Sequence, residues 1–466
     1  MSYQVPQHIS KDKIFIVNRS EIENRLDPLY YGSDFTKFFK HPFSVRLKEV
    51  CLKFASGFGA GKNEQTTKDD GFIQIRPTNI DNDGFLKYEK NVYVPFHMGI
   101  SFVDKGTVLF NNTNSQEWVG KTALLSVDTQ LYTSNHITSI VVNPQKLIPE
   151  YLWIVLNIYQ RNKVFYSICT NWNNQSGVGI DLLQSVKIPV LPLLAQKEIV
   201  DFYMYSCLEK QEKDSESQQL LEAIDTYLLH ELGITLPEVH SELQDRVFLL
   251  NRSALEGRLD PTVYKDGIKL ISPKWENVKL SKVAFVNPGG AYKGKAIETP
   301  ISFIPMEVVD ETFSEIKEME ETTIEQASGF TKFREGDLLW AKITPCMQNG
   351  KSAIARNLIN GLGCGSTEFF VIRPKDERLA IEYLHVILHM KCVRETAMLY
   401  FGGSAGQQRV PSFYLENFDL PLPPIEKQKE IASHVYGLRQ RAKALQEEGK
   451  KILENAKQEV ERMIIQ

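Results

Sequence analysis

The sequence predicts an α+β fold in which one mixed unit occurs twice, each copy ending in a long helix. Three observations carry this. Residues 18–31 read NRSEIENRLDPLYY and residues 251–264 read NRSALEGRLDPTVY, identical at nine of fourteen positions. The same spacing then persists along the 466-residue chain. Glu150 of PEYLWIVL meets Glu382 of IEYLHVIL, QKEI at 196–199 recurs at 428–431, and Gly106 and Lys121 meet Gly336 and Lys351. These offsets stay between 230 and 233 residues, so the repeat is global rather than local. Finally, Ile431, Val435, Leu438, Ala442, Leu445, Gly449, Ile452, Ala456, Glu459 and Met463 follow 4,3 spacing, the pattern of a helix packed along a narrow seam.

Composition sets the bounds. The chain is 42% hydrophobic and 24% charged, as in ordinary globular proteins. No run of about 18 apolar residues predicts a membrane helix, and the opening MSYQVPQHISKDK lacks a signal-peptide core, so a cytoplasmic location is expected. The six cysteines are dispersed with no C-x-x-C pair, which predicts free thiols and no metal site. The net charge is −4, which argues against a strongly basic nucleic-acid surface. Residues 36–190 hold 16 Lys/Arg against 12 Asp/Glu, and residues 266–420 hold 18 against 20. The acidic excess therefore lies mostly outside the two mixed regions.

Within the first copy, a helix begins near residue 193 at LPLLAQKEIVDFYMY, meets the polar stretch KQEKDSESQQ (210–219) and resumes in LLEAIDTYLLHELGI. Gly233 suits its C-terminal cap. In the second copy, ISFIPMEVV, GDLLWAKI and EFFVIRP read as strands. Residues 379–399 read as one helix. The Gly/Gln-rich GGSAGQQ is a loop, and LPLPP (420–424) is extended because proline fixes φ. After Pro424 the seam helix runs about 38 residues, roughly 57 Å at 1.5 Å per residue. Two related long helices most simply pack antiparallel about a pseudo-twofold axis.

No catalytic pattern stands out. GGAYKGKA (289–296) fits G-x-x-x-x-G-K but continues with Ala296, not Ser or Thr, and GFGAGKN (57–63) is one residue short. Lys62 and Lys295 remain candidates for phosphate contact. The loops instead carry amides and hydroxyls at matched places. In the first copy these are Asn111, Asn112, Asn114, Gln116, Lys121, Ser134, Asn135, His136, Asn173, Asn174 and Gln175. In the second they are Lys342, Thr344, Gln348, Asn349, Lys351, Ser366, Thr367, Glu368, Gln407, Gln408 and Arg409. Asn and Gln pair with adenine, Arg and Lys with guanine, and carboxylates accept from cytosine. Changes such as Asn135/Thr367 and His136/Glu368 are those expected of two readers with different targets. For any one of these residues the turn-forming reading is the stronger, whereas the set at matched positions of a duplicated chain favours recognition.

GDLLWAKI…GKSAIA, CGSTEFFVIRP and GSAGQQRVPSFYLENFDLPLPPIEKQKEI resemble the target-recognition domains of type I restriction–modification specificity subunits. The first copy matches more loosely, with Leu193 and Ala195 where the pattern prefers proline and an acid. The resemblance implies two target-recognition domains, at 36–192 and 266–424. It implies conserved spacer helices at 193–234 and 425–466, an N-terminal RLDP element at 1–35 and a linker with the second RLDP element at 235–265. The implied protein is not an enzyme. Each domain would read half of a bipartite asymmetric site in double-stranded DNA, and the helices would dock two adenine-methyltransferase subunits, with motor–endonuclease subunits as an optional addition. S-adenosylmethionine would be bound by the partner, and no cofactor by this chain. The competing expectation is a coiled-coil scaffold without DNA recognition, using helix positions such as Tyr203 and Cys207 for partners.

Overall fold

The computed structural model describes residues 41–237, 260–403 and 407–465, with Thr36–Phe39 and the single residues Ile14, Ile16, Val17, Arg19, Ile22 and Tyr31. Most of both RLDP elements, and Ser404, Ala405 and Gly406 of the Gly-rich loop, lie outside the described residues. The chain forms two compact units, residues 1–211 with 449–466, and residues 212–448.

In the first unit the main sheet has the order Cys51–Ser56, Ile137–Val142, Val108–Asn111, Thr122–Leu124, all antiparallel. The central strand ITSIVV is β-branched and buried on alternate residues near its end, as a sheet covered on one face requires. A second sheet orders Val92–Val94, Phe72–Ile75 and Leu131–Thr133, the last pair parallel. Helix Pro149–Arg161 covers the main sheet. Its Trp153 indole donates to the Gly84 and Thr122 carbonyls at 2.9 and 3.2 Å. A third sheet joins Thr170–Trp172, Gln175–Gly177 and Thr113–Asn114.

The second unit repeats the plan. Its main sheet orders Ala284–Val286, Phe369–Pro374, Leu338–Ala341 and Ser352–Ile354. Its second sheet orders Glu320–Thr323, Pro300–Ile304, Leu362–Gly365 and Thr331–Arg334. Among the described residues, strand Thr331–Arg334 has no counterpart in the first unit's second sheet. Residues 379–399 form two helices, Ile381–His389 and Lys391–Met398, not one. Met390 between them is extended, and the Asp225 carboxylate accepts the Lys391 amide at 2.8 Å. That bond starts the second helix from outside the segment, which helical spacing could not reveal.

The central helix runs unbroken over Leu193–Leu232. The polar stretch is helical throughout, with Ser217 fully buried and the longer polar side chains part-buried or exposed. Gly233, at φ +66°, ends it with amide bonds from Gly233 to His230 and from Ile234 to Leu229, the expected left-handed cap. The C-terminal helix runs over Ile425–Ile465. In the first unit, Ile199, Val200 and Tyr203 share a core with Leu453, Ala456, Val460 and Ile464. Tyr203 is thus packed, against Trp153 at 5.6 Å between rings, rather than open to partners. In the second unit, Ile224, Leu228 and Leu232 share a core with Ile431 and Val435. Ion pairs Lys213–Glu448, Glu216–Arg441 and Glu231–Lys427 there run in opposite order along the two helices, which are antiparallel.

The seam departs from strict 4,3 spacing. Ile431, Val435, Ala442, Leu445, Gly449 and Ala456 are buried as expected. Arg439, Leu453, Val460 and Ile464 are buried in place of Leu438, Ile452, Glu459 and Met463. An α-helix of 3.6 residues per turn drifts about 20° per heptad against a 3.5-residue repeat, so the buried stripe slides by one residue.

Candidate nucleic-acid interface

Each unit builds the same main-chain frame at the open end of its main sheet. Gly106 and Gly336 start it, at φ +84° and +82°, and their amides bond Leu125 and Ala355 at 2.8 Å. A side chain at such φ is strained, which accounts for glycine in both copies. The strands then run to Asn111 and Ala341, where three segments meet.

In the first unit the Asn112 amide donates to the His136 carbonyl at 3.0 Å, and the Val178 amide to the Asn112 carbonyl at 2.9 Å. In the second, Lys342 donates to Glu368 at 2.9 Å and Val410 to Lys342 at 2.9 Å. Asn114 pairs with Ser176 in a short ladder, and the Thr344 amide likewise meets the Gln408 carbonyl at 3.0 Å. One frame therefore presents two sets of side chains, with Asn112/Lys342, Asn114/Thr344, His136/Glu368 and Gly177/Arg409 at equivalent places.

In the first unit the outer set is Asn114, Asn135, His136, Asn173, Asn174 and Gln175. Asn173 and Asn174 form the turn of hairpin 170–177 with φ +37° and +63°, a conformation asparagine tolerates. Ser176 Oγ donates to Asn171 Oδ1 at 2.6 Å. Trp172, half exposed, lies over Gly177, and a Cβ there would stand 2.3 Å from its ring. Trp172 and Asn171 were not among the sequence candidates. Their signal was an aromatic inside an amide-rich hairpin.

In the second unit Lys342, Thr344, Ser366, Thr367, Glu368, Gln407, Gln408 and Arg409 come together. Arg409 binds Glu368 through Nε and Nη2 at 2.8–3.1 Å. That contact holds the Glu368 carboxyl below its ordinary range and raises the guanidinium, so both stay charged. Lys342 Nζ lies 5.6 Å over the Phe370 ring. Ser366 Oγ accepts the Glu368 amide at 3.2 Å.

Several candidates are instead buried or engaged in contacts within the protein. Asn111 and Ser134 are buried. Asn112 is nearly so, and its Nδ2 reaches Thr138 Oγ1 at 2.9 Å and the Asn135 carbonyl at 3.2 Å. Lys121 and Lys351 point to main-chain carbonyls, of Ile80 at 2.8 Å and Met306 at 3.1 Å. Burial lowers the Lys121 pKa, with the charge of Asp81 opposing. Gln116 Nε2 bonds the Tyr166 carbonyl at 3.0 Å. Asn349 Nδ2 bonds Glu311 Oε2 at 3.2 Å, and the Gln348 main-chain carbonyl, not its side chain, takes the Arg394 guanidinium. Asn112, Gln116, Lys121, Asn349 and Lys351 thus spend their side chains on holding loops.

Lys62 and Lys295 sit on Gly-rich loops tied down by Arg76, to the Ala60 carbonyl, and Arg334, to that of Ala291, both at 3.0 Å. Among the described residues no group of three His, Cys, Asp or Glu side chains could hold a metal ion, and no helix is long and apolar enough to cross a membrane.

Fold and site together define a duplicated α+β module protein in which one frame carries two unlike polar surfaces. The chain belongs to the type I restriction–modification DNA specificity domain family, whose model matches residues 44–221 and 273–455. Over 158 residues it is 37% identical to the type I restriction enzyme EcoAI specificity subunit of Escherichia coli, covering 34% of this chain and 26% of that one. It thus spans about a quarter of that relative's length. It is 22% identical over 385 residues to the putative type I restriction enzyme MjaX specificity subunit of Methanocaldococcus jannaschii, covering 77% of each. A solved chain from work on assembly and conformational transition of the type I R-M system shares the fold, at a TM-score of 0.50, 17% identity, and coverage of 90% of this chain and 96% of that one.

Proposed function

We propose that the chain is the non-catalytic subunit that gives a type I restriction–modification complex its DNA sequence specificity. Each unit reads one half of a bipartite, asymmetric site in double-stranded DNA through its loop cluster. The long helices dock two adenine-methyltransferase subunits, which bind S-adenosylmethionine and extrude the target base. Motor–endonuclease subunits join where the complex also cleaves. The observation that carries this reading is the shared frame with unlike side chains at equivalent places, which suits two readers of different sequences. Leu194, Tyr205 and Leu208, exposed along one face of the central helix, support a protein partner there. The overall charge of −4 fits a subunit whose phosphate contacts come largely from its partners.

The test is a domain exchange. Residues 36–190 are replaced by those of a related specificity subunit, and methylated sites are mapped by sequencing in cells that also carry the methyltransferase gene. One half of the bipartite motif is expected to change while the other stays. A change in both halves, or in neither, would overturn the reading.

A further inference from the structure

We propose that Arg409, oriented by Glu368, reads a guanine in the major groove of the half-site bound by the second unit. This rests on the DNA-reading function proposed above and adds the base.

A guanidinium carries five N–H donors in a planar fork. Nε and one N–H of Nη2 go to the Glu368 carboxylate, and one N–H of Nη1 goes to the Gln407 carbonyl at 2.9 Å. One donor on each terminal nitrogen is left without a partner among the described residues. The Arg409 side chain is 42% exposed, against 21% for Glu368, so the arginine is the more open partner of the pair. Two donors on neighbouring nitrogens match the O6 and N7 acceptors of guanine. In the major groove adenine offers an acceptor beside a donor, thymine a single acceptor and cytosine a donor.

The main chain that carries the fork is anchored as well. It pairs with Gly402 at 2.9 and 3.0 Å, and the neighbouring Gln408 carbonyl takes the Thr344 amide. Glu368 has both oxygens engaged by Arg409, so it is a positioning residue rather than a base contact. Among the described residues the first unit has no such device at the equivalent places. Its equivalent places hold Gly177, covered by the Trp172 ring, and His136, so its half-site is read by other means.

The test uses the complex with its methyltransferase subunits. Methylation motifs are mapped for wild type, Arg409→Ala and Glu368→Gln, and binding is measured on duplexes carrying 7-deazaguanine, which lacks N7, at each guanine in turn. Arg409→Ala should relax one G·C position in one half-site only, lowering discrimination there on the order of 10- to 100-fold. Analogue replacement at that position should weaken wild type and leave the alanine variant unmoved. Glu368→Gln should keep the guanine preference at reduced strength. An unchanged motif in Arg409→Ala, or equal sensitivity of both proteins to the analogue, overturns the assignment. If alanine abolishes assembly, wild-type indifference to 7-deazaguanine at every position overturns it by itself. A wild-type complex with no bipartite motif overturns the proposed function as well, whereas a bipartite motif indifferent to Arg409 overturns only this inference.

Discussion

Gln196 and Gln428 make the same three hydrogen bonds in the two units. Gln196 Oε1 accepts the Ile148 amide at 2.9 Å, and its Nε2 donates to the Lys146 and Leu191 carbonyls at 2.9 and 2.7 Å. Gln428 does the same with Ala380, Arg378 and Pro423, at 2.9, 2.8 and 2.8 Å. Both are fully buried, and each ties the start of a long helix to the chain entering the helix over the main sheet.

Removing either side chain strands one amide and two carbonyls in the interior. An unpaired buried polar group costs about 1–3 kcal/mol, with relaxation reducing the sum. Gln196→Ala and Gln428→Ala should each lower stability by about 2–4 kcal/mol in urea unfolding. Gln428→Glu, which keeps the acceptor and loses both donors, should also destabilise. A loss below about 0.5 kcal/mol would contradict the role assigned to the network.

His385 gives an acid sensitivity. It is fully buried between Ser352 Oγ at 3.1 Å and Tyr436 Oη at 3.2 Å. Burial, assisted by the Arg439 charge, pushes its pKa down from 6.5 to about 3. Below pH 6.5 the unfolded chain gains a proton that the folded chain refuses. Stability from this group is complete above pH 6.5 and is lost as pH falls toward 3, with a limiting slope of about 1.4 kcal/mol per pH unit. Urea unfolding from pH 7 to 4 should show a shallower pH dependence in His385→Gln than in wild type. Identical profiles would remove His385 as the cause.

In the second unit the buried Asp337 pairs with the part-exposed Arg373. The carboxylate is 1% exposed, takes Nε and Nη2 of Arg373 at 2.6 Å each, and accepts the Arg334 amide at 2.7 Å. The first-unit counterparts are Thr107 and Val141. A hydrogen bond to a charged group contributes about 1.5–3 kcal/mol, and the Arg373 side chain, 24% exposed, regains water when its partner is lost. Asp337→Ala should therefore unfold the second unit at markedly lower temperature in calorimetry, and Thr107→Ala should have a much smaller effect on the first.

Gly177→Ala places a methyl group 2.3 Å from the Trp172 ring, so the ring must leave the hairpin. Tryptophan emission should shift to the red. If the first unit reads DNA as proposed, the methylation motif should change in one half only. A change confined to the half that depends on Arg409 would contradict the assignment of units to half-sites.

Much of this architecture was legible from periodicity and repetition. The collinear anchors from Gly106/Gly336 to Gln196/Gln428 mark one frame used twice, and Gly233 ends a helix because its own backbone decides the matter. What escaped was set by partners distant in sequence. Asn112 reads as a surface amide until Thr138, 26 residues on, takes its donor. Arg409 and Glu368 are 41 residues apart, and no local pattern joins them. The break at Met390 depends on Asp225, 166 residues away from Lys391. The one-residue slide of the seam was missed because 3.5 and 3.6 residues per turn diverge only over several turns.

The bonds that join the three segments at each loop cluster run from amide to carbonyl, and every residue but proline owns both. Folding therefore sets few conditions on which side chains project there. On the proposed function, a lineage can rewrite the address its methyltransferase obeys by substituting a few outward-facing residues, and the scaffold survives each new edition of the text.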